Sequence, residues 1–167
     1  MKRILRIDIL FVLLSLILVS FKLKPKDEGF VDLGLSVKWA TCNVGAKSPT
    51  EYGDYYTFDE ALKSGMRLPT EANFQELIDN CTWKWTKKKG VWGYRVKSKK
   101  NGKSIFFPAA GGRDGADMLG VDSDGHYWSS SASAFDRYFP YCLGFGSRYV
   151  CTSGCNRYSG LSVRLVR

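Results

Sequence analysis

Histidine and cysteine are the residues of this chain with the most specialised chemistry, and the chain has one histidine, His126, and five cysteines. A Ser-His-Asp arrangement would have to use that single imidazole, and no carboxylate pair is spaced for acid–base work. The sequence has no CxxC pair, and one imidazole is too few for the usual zinc motifs. We therefore assign no catalytic residue and expect no metal and no cofactor.

Three cysteines lie close together near the C-terminus: Cys142, Cys151 and Cys155. A short turn near residues 147–148 would make the flanking strands antiparallel and bring Cys142 close to the facing Cys151. The sequence does not determine the strand register, so Cys142–Cys155 is equally compatible with this arrangement. We predict one disulfide within this set, and the odd cysteine count leaves at least one thiol free or intermolecular.

Positive charge is concentrated in residues 83–107, which contain nine Lys or Arg residues and no Asp or Glu, in a chain of formal net charge +9. Lysines beside aromatic rings suit acidic glycans, other anionic polymers or nucleic acid. The candidate ligand-binding residues here are Lys87, Lys88 and Lys89.

The alternative interpretation of the same segment is purely structural. Strict alternation places Trp92, Tyr94 and Val96 on one face of a strand and Arg95 and Lys97 on the other. In that case the rings belong to the core and the basic side chains are only solvated.

Two acidic or Gly-rich stretches supply further candidates. Asp122 and Asp124 are spaced like the first ligands of a calcium loop, but the other EF-hand positions are missing, so an ordinary Asp-Gly turn is favoured. Residues 108–117 predict a long Gly-rich loop in which Arg113 and Asp114 would shape a pocket. Such loops are also common as simple connectors.

One amphipathic helix is predicted to organise these residues. Thr70 is a suitable N-cap, and Phe74, Leu77, Ile78 and Cys81 follow at the spacing of one helical face. The helix over residues 70–80 must therefore pack against the rest of the domain.

The other predicted elements are short strands. They are two strands around Gly34, a brief strand and a helical turn over residues 55–63, and hairpin strands over residues 83–107 with a two-residue turn at Asn101-Gly102. Later strands cover residues 138–145, confined to an edge by Pro140, then 149–151 and a central 161–166. The predicted class is α+β, with antiparallel strands and hairpins packed on one main helix.

The N-terminus is basic and then apolar over residues 9–21. This run is shorter than a membrane-spanning helix usually needs, which favours a cleaved signal peptide. An uncleaved membrane anchor and a buried helix of the folded domain are the alternatives. We expect residues 1–21 to direct export, residues 22–29 to form a tether and residues 30–167 to form one domain.

Six segments, in order, carry a resemblance to a known family: residues 31–46 (VDLGLSVKWATCNVGA), 51–55 (EYGDY), 67–71 (RLPTE), 107–111 (FPAAG), 127–131 (YWSSS) and 162–167 (SVRLVR). Together they resemble the Fibrobacter succinogenes major paralogous domain. That family is similar to the C-terminal domain of the Legionella collagen-like adhesin. More distantly, it is similar to the C-type-lectin-like fold of formylglycine-generating enzymes. The resemblance implies an exported bacterial surface domain with a C-type-lectin-like fold, of a kind common in gut Bacteroidales, without supplying a ligand.

Two functions follow as expectations. The first is a non-catalytic binding or adhesion module, secreted, periplasmic or at the cell surface. Its partner would be an anionic glycan or a surface protein, with no specific nucleic acid, and it would contact the membrane only through residues 1–21 if they stay uncleaved. The second is a copper-dependent thiol oxidase, implied by the resemblance to formylglycine-generating enzymes, which use two C-terminal cysteines to bind copper and oxidise a substrate thiol. Here these would be Cys151 and Cys155, separated by three residues rather than the four of those enzymes.

Overall fold

The computed structural model describes residues 29–133, 136 and 138–167. The predicted signal or anchor, and nearly all of the predicted tether, lie outside these residues. No helix in the described part of the chain is long and apolar enough to cross a membrane.

Two helices are present in the described residues, α1 (Phe58–Lys63) and α2 (Glu71–Asn80). The predicted main helix is confirmed together with its cap, because the Thr70 hydroxyl accepts a hydrogen bond from the Asn73 backbone N–H at 3.1 Å. The Asn73 side chain in turn accepts from the Thr70 backbone N–H at 2.9 Å. This reciprocal pair satisfies two backbone donors that a helix start leaves free.

Twelve strands complete the described part of the chain. They are β1 (Phe30–Val31), β2 (Trp39–Ala40), β3 (Tyr55–Tyr56), β4 (Cys81–Lys88), β5 (Val91–Ser98), β6 (Ser104–Pro108), β7 (Ala110–Asp114), β8 (Asp117–Val121), β9 (Asp124–Trp128), β10 (Tyr141–Gly146), β11 (Tyr149–Gly154) and β12 (Leu161–Ser162). Strands thus predominate over helices in this α+β mixture.

The strands form three sheets. The largest has the order β11-β10-β9-β12-β3, with β7 pairing in parallel to β9 and antiparallel to β8. The second sheet, β4-β5-β6, is fully antiparallel and contains most of the basic segment. Strands β1 and β2, the two strands predicted around Gly34, pair antiparallel with each other.

Helix α2 packs with the main core, where Phe74 and Leu77 are fully buried beside Trp39, Phe107 and Phe145. This core connects the basic sheet to β9 and β10. A second core lies around Phe58 of α1 and includes Trp128, Cys142 and Val163. The apolar face predicted for α2 is therefore confirmed, although Cys81 belongs to β4 and caps the helix end.

Two predictions about turns were wrong. The segment predicted as a Gly-rich loop is largely the hairpin of β7 and β8, because the backbone pairs from Ala110 to Asp114 with Val121 to Asp117. The two-residue turn of the basic segment is Lys89-Gly90, where both residues have positive φ. That conformation matches the twist of a tight hairpin. Asn101 and Gly102 lie in a longer connection between β5 and β6.

Two predictions about late strands also need correction. Pro140 precedes β10 and leaves its ladder intact, so β10 is a central strand between β9 and β11. The final strand is central as predicted, between β9 and β3, but covers only Leu161–Ser162. Beyond it the backbone bonds to separate segments, since Val163 O accepts from Val44 N–H and Val166 N–H donates to Arg67 O.

Candidate functional site

The β4-β5-β6 sheet has one face toward the core and one face toward solvent. Val96 is fully buried and Tyr94 is 6% exposed, whereas Arg95 and Lys97 are exposed. The alternation of rings and bases predicted from the sequence is therefore confirmed. We call the outward side the basic face; its charged residues are Lys84, Lys88, Arg95 and Lys97.

Like charges are directly opposed on the basic face. Lys84 and Arg95 are register partners on β4 and β5, so their side chains leave the sheet on the same side. Within the described residues, none of the basic-segment side chains forms an ion pair with a carboxylate. Within the part of the chain that the structure describes, no ion pair therefore neutralises the positive charge of this face.

A cavity of about 500 Å³, which we call the basic cavity, opens on this face. Phe106, the register partner of Arg95, is almost fully buried there, and its ring crosses the space above Gly93. The Lys88 ammonium lies 5.7 Å from the centre of that ring. The lining residues are Thr41, Pro49, Thr86, Lys87, Lys88, Arg95, Ser104, Ile105 and Phe106. None of them is acidic.

Only one of the three predicted lysines directs its side chain onto this face. Lys88 belongs to the basic face, whereas the Lys87 ammonium lies 4.9 Å from the centre of the Trp92 ring on the opposite side of the sheet. Trp92 stacks in turn on Trp85, with ring centres 5.8 Å apart. Lys89 is exposed in the turn.

Arg164, which sequence reasoning did not select as a site residue, holds one wall of the basic cavity. Its guanidinium is fully buried, donates two hydrogen bonds to Asn43 Oδ1 at 2.7 and 3.0 Å, and donates to the Ala40 and Phe106 carbonyls. It lies 4.6 Å from the centre of the Phe107 ring. Burial lowers the pKa of Arg164. These bonds fasten the segment that carries Thr41 to β6.

A second cavity, of about 310 Å³, lies beside the cysteines and is called the disulfide cavity. Three of the predicted candidates, Arg113, Asp114 and Asp124, line it. The remaining lining residues are Gly112, Leu119, Gly120, His126, Cys155, Asn156, Ser159 and Leu161. Burial lowers the pKa of His126, and the nearby charge of Asp124 opposes this shift.

The fourth candidate, Asp122, lies elsewhere and has a structural role. Its Oδ1 accepts hydrogen bonds from the Tyr52 hydroxyl at 2.9 Å and from the Trp92 backbone N–H at 3.3 Å. Burial, followed by the hydrogen bond to Asp122, raises the pKa of Tyr52 to about 12. Asp124 instead accepts from Ser123 and Tyr149. The two carboxylates thus serve different partners, and the predicted Asp-Gly turn was wrong in position: the turn is Asp122-Ser123, where Asp122 has positive φ, and Asp124 and Gly125 begin β9.

The disulfide joins Cys142 and Cys155, one of the two pairings left open by the sequence. Cys151 is exposed and free, and Cys81 is buried, which raises its pKa to about 11. The copper-binding alternative needs Cys151 and Cys155 as two thiols. Cys155 is not available for that role while it is bonded to Cys142.

Searches of protein-family models, curated proteins and solved structures found no match to this chain. The residues that line the two cavities are therefore the basis for inferring the function of this domain.

Proposed function

We propose that this domain is a non-catalytic binding module of an exported bacterial surface protein, with a C-type-lectin-like fold, and that it holds an anionic glycan on the basic face. The observation that carries the proposal is the basic cavity, which combines two cationic side chains with several hydroxyl groups and has no acidic lining residue.

Electrostatics favours an anionic ligand. Like charges placed directly opposite one another destabilise a sheet, and Lys84 opposes Arg95. A carboxylate or sulfate group bound between the strands would remove that repulsion. It would also form charge-assisted hydrogen bonds with Arg95, whose planar fork suits such oxygens.

The remaining lining groups suit a sugar better than a bare ion. Thr41, Thr86 and Ser104 carry hydroxyls that can donate to or accept from sugar hydroxyls. Phe106 supplies an apolar wall at the same site. Concave sites with an apolar surface and a few placed polar groups are typical of ligand binding.

No specific observation favours the copper-dependent thiol oxidase. Its two cysteines, Cys151 and Cys155, are not both free, because Cys155 is bonded to Cys142. The binding module is therefore the preferred function.

The test is salt-dependent retention on immobilised heparin, a sulfated and uronic-acid-containing glycan. Lys88→Gln/Arg95→Gln removes two charges from the basic cavity, and Lys63→Gln/Arg148→Gln removes two exposed charges elsewhere. We expect the first variant to elute at clearly lower salt than the second, because salt screens the contact. Equal elution of the two variants would contradict the proposal, since it would mean that retention depends on net charge alone.

A further inference from the structure

Three metal-ligating side chains meet beside the disulfide cavity. The ligating atoms of His126, Cys142 and Cys155 all lie within 4.8 Å of one another. His126 is on β9, Cys142 is on β10, and Cys155 directly follows β11. Two thiolates and one imidazole are a ligand set that zinc uses in proteins.

The sheet holds these three residues in fixed positions. His126 is the register partner of Gly144, and a Cβ at Gly144 would lie 3.6 Å from the His126 Nδ1 atom. Glycine therefore leaves room beside the imidazole. The Cys155 backbone N–H donates to the Pro140 carbonyl at 2.9 Å, which ties the end of β11 to the start of β10. The ligands need little rearrangement beyond opening of the disulfide.

We propose that reduction of the Cys142–Cys155 disulfide creates a Zn²⁺ site formed by Cys142, Cys155 and His126. A dithiol reductant supplies two electrons and two protons, becomes a disulfide itself, and leaves two thiols on the protein. Binding of Zn²⁺ then displaces the two thiol protons. Oxidation to the disulfide and metal binding are mutually exclusive states of the same two sulfur atoms.

The distances fit this exchange. Zinc–sulfur bonds of about 2.3 Å and zinc–nitrogen bonds of about 2.0–2.1 Å place tetrahedral ligands about 3.5–3.8 Å apart. The observed limit of 4.8 Å requires only small side-chain rotations to reach that arrangement. Three protein ligands leave a fourth position free.

The fourth position would face the disulfide cavity, which His126 and Cys155 both line. Zinc sites with an open position bind water or a small ligand, whereas structural sites are closed by four protein ligands. Arg113, Asp114 and Asp124 also line this cavity, so a water molecule or a small polar ligand could reach the metal there. This zinc site is independent of glycan binding on the basic face.

The experiment uses the full chain, reduced with a dithiol and then freed of it under anaerobic conditions. Zn²⁺ is titrated in competition with a chromophoric chelator, and Co²⁺ provides the thiolate absorption band as a second readout. We expect one equivalent to bind the reduced chain and none to bind the oxidised chain. Cys155→Ser should abolish binding, and His126→Ala should weaken it by more than about 100-fold, beyond the loss that follows when a residue that only orients a metal ligand is changed.

The control is Cys151→Ser, which removes an exposed thiol outside the site and should leave zinc affinity unchanged. Equal binding by the oxidised chain, full affinity in His126→Ala or loss of binding in Cys151→Ser would overturn the proposal. Circular dichroism follows the fold throughout the titration. A reduced chain that unfolds and does not refold with Zn²⁺ would also overturn it.

Discussion

The basic face and the disulfide cavity are assembled in opposite ways. The basic face comes mainly from one continuous hairpin unit and carries charge of one sign. The disulfide cavity gathers side chains from β7, β8, β9 and the segment after β11, and combines Arg113 with Asp114 and Asp124. The first is suited to an extended anionic polymer. The second is suited to a small ligand or a metal, because its donors converge on one point.

The largest expected effect is the loss of stability caused by Arg164→Met. This substitution removes the hydrogen bonds that fasten one wall of the basic cavity to β6. Loss of the guanidinium leaves Asn43 Oδ1 and two carbonyls without their donor. Removing one partner of such a buried polar network costs about 3–5 kcal/mol of unfolding free energy. Urea unfolding measures the change, and the exposed Arg148→Met is the control, expected within about 0.5 kcal/mol. A loss of unfolding free energy below about 1 kcal/mol would contradict the role of Arg164 in supporting this wall.

The second prediction separates the two regions. The double variant Cys142→Ala/Cys155→Ala removes a cross-link of sequence separation 13 and should lower the unfolding free energy by about 3 kcal/mol. Heparin retention at a temperature where the variant is folded should not change. Cys151→Ala is the control, with intact stability. Reduced heparin retention would mean that the two cavities are coupled, which would contradict the view that they are independent regions.

The third prediction concerns the opposed charges of the basic face. Lys84→Glu replaces a like-charge pair with an opposite-charge pair across β4 and β5, which should stabilise the fold by about 0.2–1 kcal/mol. The same change should weaken heparin retention. Lys63→Glu makes the same charge change on α1 and should not produce this stabilisation. A Lys84→Glu variant that is both less stable and equally retained would contradict the assignment of this face.

The smallest expected difference is between two neighbouring lysines. Lys88→Gln should reduce heparin retention more than Lys89→Gln, since only Lys88 directs its side chain onto the basic face. The two variants have identical net charge. Elution salt concentrations on one column measure the difference, and a greater loss in Lys89→Gln would place the binding surface at the turn instead.

The sequence was sufficient to predict the elements whose signals lie within a few neighbouring residues. The Thr70 cap and the spacing of Phe74 and Leu77 predicted α2, and alternation predicted which residues of β5 face solvent. The β7–β8 hairpin was missed because its glycines resemble loop residues. The close backbone approach at Gly111, where an added Cβ would lie 2.2 Å from Leu119 O, is visible only in three dimensions.

The site residues show the same difference between signals that are local in the sequence and contacts that form only in the folded chain. Lys88 was found because the basic segment is continuous, but alternation alone did not separate it from Lys87 and Lys89. A metal site was not expected because the possible ligands are not closely spaced in the sequence, whereas His126, Cys142 and Cys155 meet only through the pairing of β9, β10 and β11. Arg164 was not selected because its role depends on Asn43, which is distant in sequence.

We propose that an anionic glycan binds the basic face and not the disulfide cavity. Amide NMR shifts of the isotope-labelled protein, recorded while a heparin oligosaccharide is added, test it most directly. We predict that the largest shifts fall on β4, β5 and β6 around Lys84, Lys88, Arg95 and Phe106, and that they fade as salt is raised. Shifts centred on Arg113, Asp124 and His126, or no saturable shifts at low salt, would contradict it.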